Sequence, residues 1–226
     1  MIYFLNGGRN ERGVLEHAES LKLYERLGVQ RALIIPYAIM EDEWQRLWHE
    51  NTTLFTIPGL EISSITTYDI DKNVIERAVA EADFIYLPGG SQKTLLQRME
   101  KLGTGEILRA AVQGGRLKLL GGGSAGAMVM GTKCIVGRND VTDVVDGLEF
   151  LSGHIVDSHF MNRHREARFL EVLQKHPDLT GIGIDEDTAA IFEDDFALQA
   201  VYGAGTVSLY YANKKERYDS NSTFNI

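Results

Sequence analysis

Leu119-Leu120-Gly121-Gly122-Gly123-Ser124-Ala125-Gly126-Ala127-Met128 is the stretch on which the reading of this chain turns. Two leucines run into a cluster of small residues, the pattern of a short strand that enters a tight turn and then a helix. Gly122 to Gly126 satisfy G-x-S-x-G, in which a serine occupies a sharp strand-to-helix turn. Small neighbours are needed because the backbone there takes conformations that side chains resist. Such a turn lifts Ser124 Oγ above the sheet and leaves the Ala125 amide, at a helix N-terminus, open to a developing oxyanion. The same letters fit G-x-G-x-x-G at Gly121, Gly123 and Gly126, the dinucleotide-binding fingerprint. Against that reading, Gly131 follows after only about two helical turns, and the sequence beyond it looks like hairpin strands. A Gly-rich connection without chemistry is the third reading.

Outward from this turn the chain alternates short apolar runs with amphipathic segments. The runs are Ile2–Leu5, Ala32–Pro36, Glu61–Ile65, Phe84–Leu87 and Leu117–Leu120. Helical spacing lies between them at Val14–Leu27, Glu41–Leu54 (with Trp44, Leu47 and Trp48), Asp71–Glu81, Gln92–Glu100 and Gly105–Gln113. This pattern predicts an α/β fold, a mainly parallel sheet with helices on both faces. Beyond Gly131 the rhythm changes to strand-like pieces at Cys134–Val136, Val141–Val145 and His154–Asp157, then a helix near Arg163–Lys175. Gly181–Ile184, Ala189–Phe192, Ala197–Val201 and Thr206–Tyr211 read as extra antiparallel strands in the C-terminal third. The expected organisation is one α/β domain over residues 1–212 and a polar tail over 213–226 that frays from Lys214.

Composition narrows the function classes. The chain has 226 residues, 44% of them apolar, which is enough for a substantial core. Lysine and arginine number 23 against 32 acids, a net charge of −9, which argues against a nucleic-acid partner. One cysteine, Cys134, permits no internal disulfide and suits a reducing compartment. The N-terminus reads as a first strand rather than a signal peptide, and no apolar run approaches about 18 residues. A cytoplasmic protein without a membrane partner is the expectation.

A nucleophilic serine needs a base and a group that orients the base. Of six histidines, His17, His49 and His176 lie in polar helical stretches, and His164 lies in a basic helix start. His154 begins a strand, whereas His159 follows the end of that strand, where open α/β sheets place their sites. Asn162 is a candidate N-cap, and Arg163, Arg165 and Arg168 then crowd a helix start, where cations oppose the helix dipole. They are either neutralised by carboxylates or form an anion-recognition cluster. Asp185-Glu186-Asp187 ends an apolar strand. One of these acids could orient a histidine, or the trio could be a metal site or a solvated turn.

Taken together, the elbow at Ser124, the run Val156-Asp157-Ser158-His159-Phe160 with arginines after it, and Gly183-Ile184-Asp185-Glu186-Asp187-Thr188-Ala189 resemble the cyanophycinase and dipeptidase E family of serine peptidases. The resemblance runs from the first strand to about residue 210 and implies a class I glutamine amidotransferase-like fold, with serine at the elbow. It implies that Ser124 is the nucleophile, His159 the base and Glu186 the third triad member. By the same resemblance Gly90 and Ala125 supply the oxyanion-hole amides and Gln92 contacts substrate. Asp157, Arg163, Arg165 and Arg168 match positions that line the substrate cleft of cyanophycinases, which places the chain nearer that side. Ser158, also at a substrate-facing position, stands where cyanophycinases usually have glutamine. The implied activity is hydrolysis of a peptide or isopeptide bond next to an aspartyl residue, through an acyl-enzyme. The partner is then a small aspartyl-containing peptide, with no metal or organic cofactor, and a homodimer stays open. The alternatives are a nucleotide-binding enzyme that uses the Gly121–Gly126 loop and a catalytically inactive binding protein of the same fold.

Overall fold

The structure, a computed structural model, describes residues 1–40, 57–67, 69, 71–137, 143–212 and 214–222. The helix expected at Glu41–Leu54 lies outside the described residues, as do the first two residues of the expected strand Val141–Val145. A seven-stranded sheet has the order β11-β10-β1-β5-β4-β2-β3, built from β1 (Ile2–Asn6), β2 (Arg31–Ile34), β3 (Glu61–Ser64), β4 (Phe84–Leu87), β5 (Leu119–Gly123), β10 (Thr188–Phe192) and β11 (Leu198–Gly203). Its strands β1 to β5 run parallel, while β10 and β11 add on antiparallel.

Continuous apolar runs are what a sheet covered on both faces requires. In β1, alternation sends Tyr3 and Leu5 into one buried cluster and Phe4 into another. In β4, Ile85 and Leu87 divide in the same way from Phe84 and Tyr86. The first cluster is closed by α3 (Lys72–Glu81), α4 (Gln92–Lys101) and α5 (Thr104–Gln113), through Ile75, Val79, Leu95, Met99 and Leu108. The second is closed by α1 (Glu11–Leu15) and α2 (Ala18–Leu27), through Val14, Leu15, Leu23 and Tyr24. Sequence spacing joins these two helices into one; the structure divides them at Glu16-His17, where the His17 side chain caps α2 by accepting from the Glu19 amide at 3.3 Å.

After the four-residue α6 (Ala125–Met128) the chain builds a second sheet instead of extending the first. Its order is β13-β12-β9-β8-β6-β7, from β6 (Gly131–Val136), β7 (Asp143–Asp146), β8 (Leu151–Asp157), β9 (Thr180–Ile184), β12 (Val207–Tyr211) and β13 (Lys214–Tyr218). Two sequence expectations are corrected here. β9 pairs antiparallel with β12 but parallel with β8, because α7 (Glu166–Lys175) serves as the crossover between β8 and β9. Lys214–Tyr218 does not fray but pairs with β12, in register from Val207↔Tyr218 to Tyr211↔Lys214. Among the described residues, no helix is long and apolar enough to cross a membrane.

The two sheets bring strand ends together. Asn6 pairs with Gly123 and Leu87 with Gly122, so β1, β4 and β5 finish level with one another. Asp157 pairs with Gly183 at the corresponding ends of β8 and β9.

Candidate active site

Ser124 leaves β5 with φ 46° and ψ −109°, a conformation that L-residues seldom hold and that marks a strained elbow. The turn closes because Gly126 lies against β4; a Cβ there would stand 1.8 Å from the Leu87 carbonyl oxygen. The Ser124 amide donates to Asn6 O at 2.9 Å, which ties the elbow to the end of β1. Met128 ends α6 and β6 begins at Gly131 in the other sheet, so no βαβ crossover follows the glycines. This is the geometry of an elbow and not of a dinucleotide fingerprint.

His159 follows β8 with φ 49°, its amide donating to Gly7 O at 2.9 Å. Its Nε2 lies 2.9 Å from Ser124 Oγ and its Nδ1 lies 2.8 Å from Glu186 Oε1. A carboxylate can only accept, so Nδ1 carries the proton and Nε2 is free to accept from the serine hydroxyl. Burial depresses the imidazole below its ordinary value, and Arg163 and Arg165 add to this against the opposing pull of Glu186. The ring is therefore neutral at pH 7. Burial disfavours the charged form of Glu186, but the hydrogen bond and electrostatic pull of His159, together with the positive charges of Arg9 and Arg163, outweigh it and hold the carboxyl below its usual range.

The acid trio after β9 divides its work. Asp185 accepts from the Met161 amide at 3.0 Å and from Thr206 N and Oγ1 at 3.0 and 2.6 Å. Asp187 accepts from the Asn10 amide at 3.0 Å. Glu186 between them turns to the histidine. Among the described residues no group of three or more His, Cys, Asp or Glu side chains could hold a metal ion.

The arginine cluster takes the neutralised reading and departs from the cleft-lining role that the resemblance implies. Asp157, at the end of β8, has no exposed surface. It accepts from Arg165 Nη1 at 2.7 Å and from Arg168 Nη2 at 2.9 Å. Asp157, Arg165 and Arg168 are thus turned on one another beneath the site and do not line an open cleft. The helix α7 starts at Glu166, with Arg165 at its cap position, so Asn162 is not the cap; its Oδ1 instead accepts from the Glu186 amide at 2.9 Å. Arg163 stays 47% exposed, with Nε 3.9 Å from Glu186 Oε1, and the exposed Arg9 reaches Glu186 Oε2 at 3.5 Å from the opposite loop.

Ser158 is buried with Oγ 3.5 Å from Ser124 Oγ and 3.2 Å from Met128 Sδ. Gln92, the first residue of α4, reaches the same sulfur with Nε2 at 3.1 Å. The loop after β4 carries Gly89 and Gly90; a Cβ at Gly89 would lie 3.1 Å from Ser124 Cβ. A groove of about 740 Å³ opens beside this loop, lined in part by Gly90, Gln92, Lys93 and Asp143. Glu11 and Tyr86 close the underside of the loop. Sequence reading missed both: an acid in a first helical turn and a tyrosine in a strand have ordinary structural explanations.

The model of peptidase family S51 matches residues 2–199. The cyanophycinase of Nostoc sp. is 38% identical over 146 residues, 62% of this chain and 48% of that protein. This chain therefore spans about half the length of that relative. Peptidase E of Citrobacter koseri is 28% identical over 184 residues, 76% of this chain and 77% of that one. The crystal structure of a peptidase from an acI-B1 Actinobacterium superposes with a TM-score of 0.73 at 22% identity, covering 100% of this chain and 96% of that chain, which shows a shared fold.

Proposed function

This chain belongs to peptidase family S51, and from that premise we propose that it is a serine peptidase acting on a peptide or isopeptide bond beside an aspartyl residue. The observation that carries the reading is the hydrogen-bonded chain from Ser124 through His159 to Glu186, at 2.9 and 2.8 Å. Ser124 Oγ attacks the scissile carbonyl carbon while its proton passes to His159 Nε2. Glu186 stabilises the imidazolium so formed. The carbonyl oxygen, now negative, is received by the amides of Gly90 and Ala125. On collapse the C–N bond breaks and His159 returns the proton to the leaving amine. Water, deprotonated by the same histidine, then releases the acyl group and restores Ser124. No step requires a metal or organic cofactor.

Gln92, Ser158 and Arg163 are the side chains we assign to substrate contact. The exposed guanidinium of Arg163, with Arg9 near it, supplies positive charge for an aspartyl carboxylate at the rim. Asp157, Arg165 and Arg168 hold the floor beneath. The free, buried Cys134 supports a cytoplasmic setting.

Purified protein should be assayed side by side on cyanophycin, β-aspartyl dipeptides and α-aspartyl dipeptides, with a fluorophosphonate probe in parallel. Hydrolysis of one class, with labelling lost in Ser124→Ala and His159→Ala, supports the reading. An inert elbow that still binds these peptides favours the non-catalytic binding protein, and micromolar binding of NAD or ATP without labelling favours a nucleotide enzyme.

A further inference from the structure

We propose that Glu11 is a positioning residue for the oxyanion hole: its carboxyl anchors the Gly89 peptide so that the neighbouring Gly90 amide is left to face the acyl oxygen. The assignment rests on the serine-peptidase reading of the same site. Glu11 Oε1 accepts from the Gly89 amide at 3.1 Å, and Oε2 accepts from the Tyr86 hydroxyl at 2.9 Å. One residue beyond Gly90, the Ser91 amide donates to Ala38 O at 2.9 Å. The two amides that flank Gly90 are thus both held, and that of Gly90 is donated to no group among the described residues. Gly90 itself has φ +144°, a conformation open to glycine, and it would relax to another if the peptide before it were free to rotate.

The carboxyl also meets the other half of the hole. A Cβ at Gly123, the residue before the nucleophile, would stand 2.2 Å from Glu11 Oε2 and 2.3 Å from the Tyr86 hydroxyl. A Cβ at Gly89 would stand 2.5 Å from Glu11 Oε1 and 3.1 Å from Ser124 Cβ. Glu11 therefore wedges between the β4 loop, which presents Gly90, and the β5 elbow, which presents Ala125. Its own backbone is fixed from β1, where Asn6 Nδ2 donates to Glu11 O at 3.4 Å while Asn6 Oδ1 accepts from the Gly8 amide at 2.8 Å. A donor aimed at charge that develops only in the transition state alters the chemical step far more than ground-state binding.

The test uses the whole chain and the saturation kinetics of Ser124 phosphonylation by a fluorophosphonate, which separates kinact from KI. Glu11→Met keeps the side-chain length but cannot accept the Gly89 amide; Glu11→Gln retains an acceptor oxygen. We expect kinact to fall about 100-fold in Glu11→Met, with KI changed less than about threefold, and Glu11→Gln to recover at least tenfold of the loss. Circular dichroism establishes that each variant is folded, and Glu11→Ala replaces the methionine variant if that one is not. Wild-type labelling at Ser124 with kinact unchanged in Glu11→Met overturns the Glu11 assignment alone. Equal losses in the Gln and Met variants, or a loss confined to KI, also overturn it. Absence of Ser124 labelling in the wild type overturns the peptidase reading and this assignment with it.

Discussion

Replacing Glu11 by Gln should stabilise the protein at alkaline pH and do so progressively less toward acid. Enclosure by the β4 loop and the elbow raises the Glu11 carboxyl from its ordinary 4.5 to about 7, even though hydrogen bonds from Tyr86 and the Gly89 amide pull it the other way. The Tyr86 phenol that faces it is pushed well above its own ordinary value, by burial first and then by Glu11, so it stays protonated throughout. Unfolded, the carboxyl releases its proton near 4.5; folded, it holds the proton to about 7. The protonated carboxyl's contribution to stability is therefore complete below 4.5 and is lost as the pH rises through 7. The difference amounts to about 300-fold in proton affinity, or about 3 kcal/mol. Gln keeps the size and one acceptor oxygen but does not ionise. Urea denaturation of both proteins, followed by far-UV circular dichroism at pH 4.5 and pH 8, measures the gap directly. The stability of Glu11→Gln relative to wild type should grow by about 3 kcal/mol across that interval. A gap that stays constant within about 0.5 kcal/mol would show that the carboxyl titrates at its ordinary value, contradicting its enclosure.

Other outcomes follow from the same contacts. Glu186→Gln leaves the His159 ring without a carboxylate to hold the productive tautomer, so kcat should fall about 10³- to 10⁴-fold; a loss under tenfold in a hydrolysis assay would contradict the triad. His159 must be neutral to act as base and is held below 6.5 chiefly by burial, so kcat/KM should rise with pH through a midpoint below 6.5. A midpoint above that value would contradict the desolvated histidine. Arg165→Met leaves the fully buried Asp157 with Arg168 as its remaining guanidinium and should destabilise the fold by about 3 kcal/mol in denaturant titration. Phe160, wedged edge-on against Phe169 and Tyr210 at 5.3 and 5.8 Å, should cost about 3–5 kcal/mol on replacement by Ala.

Much of the fold was legible because it depends on local rules. The continuous apolar runs of β1, β2, β4 and β5 announce strands buried on both faces, and the glycines around Ser124 announce a tight turn. His159 could be picked from six histidines by its place just past a strand end. Pairing is another matter: a period of two tells which residues share a face but not which strand lies alongside. That is why β9 could be read as a strand while its parallel partner β8 could not be named, and why the second sheet was not foreseen. For the arginines the sequence leaves both readings open, neutralisation and anion recognition, for a related reason. Their charge is local, but its neutralisation by Asp157 needs β8 and α7 folded against each other. Glu11 and Tyr86 lie 75 residues apart in sequence, and nothing in either segment points to the other.

Trapping the acyl-enzyme tests most directly whether Ser124 is the covalent nucleophile. Wild-type protein is mixed with an aspartyl peptide that it hydrolyses, quenched in acid within the first turnovers, digested and mapped by mass spectrometry. The expected result is the acyl fragment on the peptide that contains Ser124, absent from Ser124→Ala and from His159→Ala. Hydrolysis that proceeds at the wild-type rate in Ser124→Ala, or an acyl group found on another residue, would contradict it.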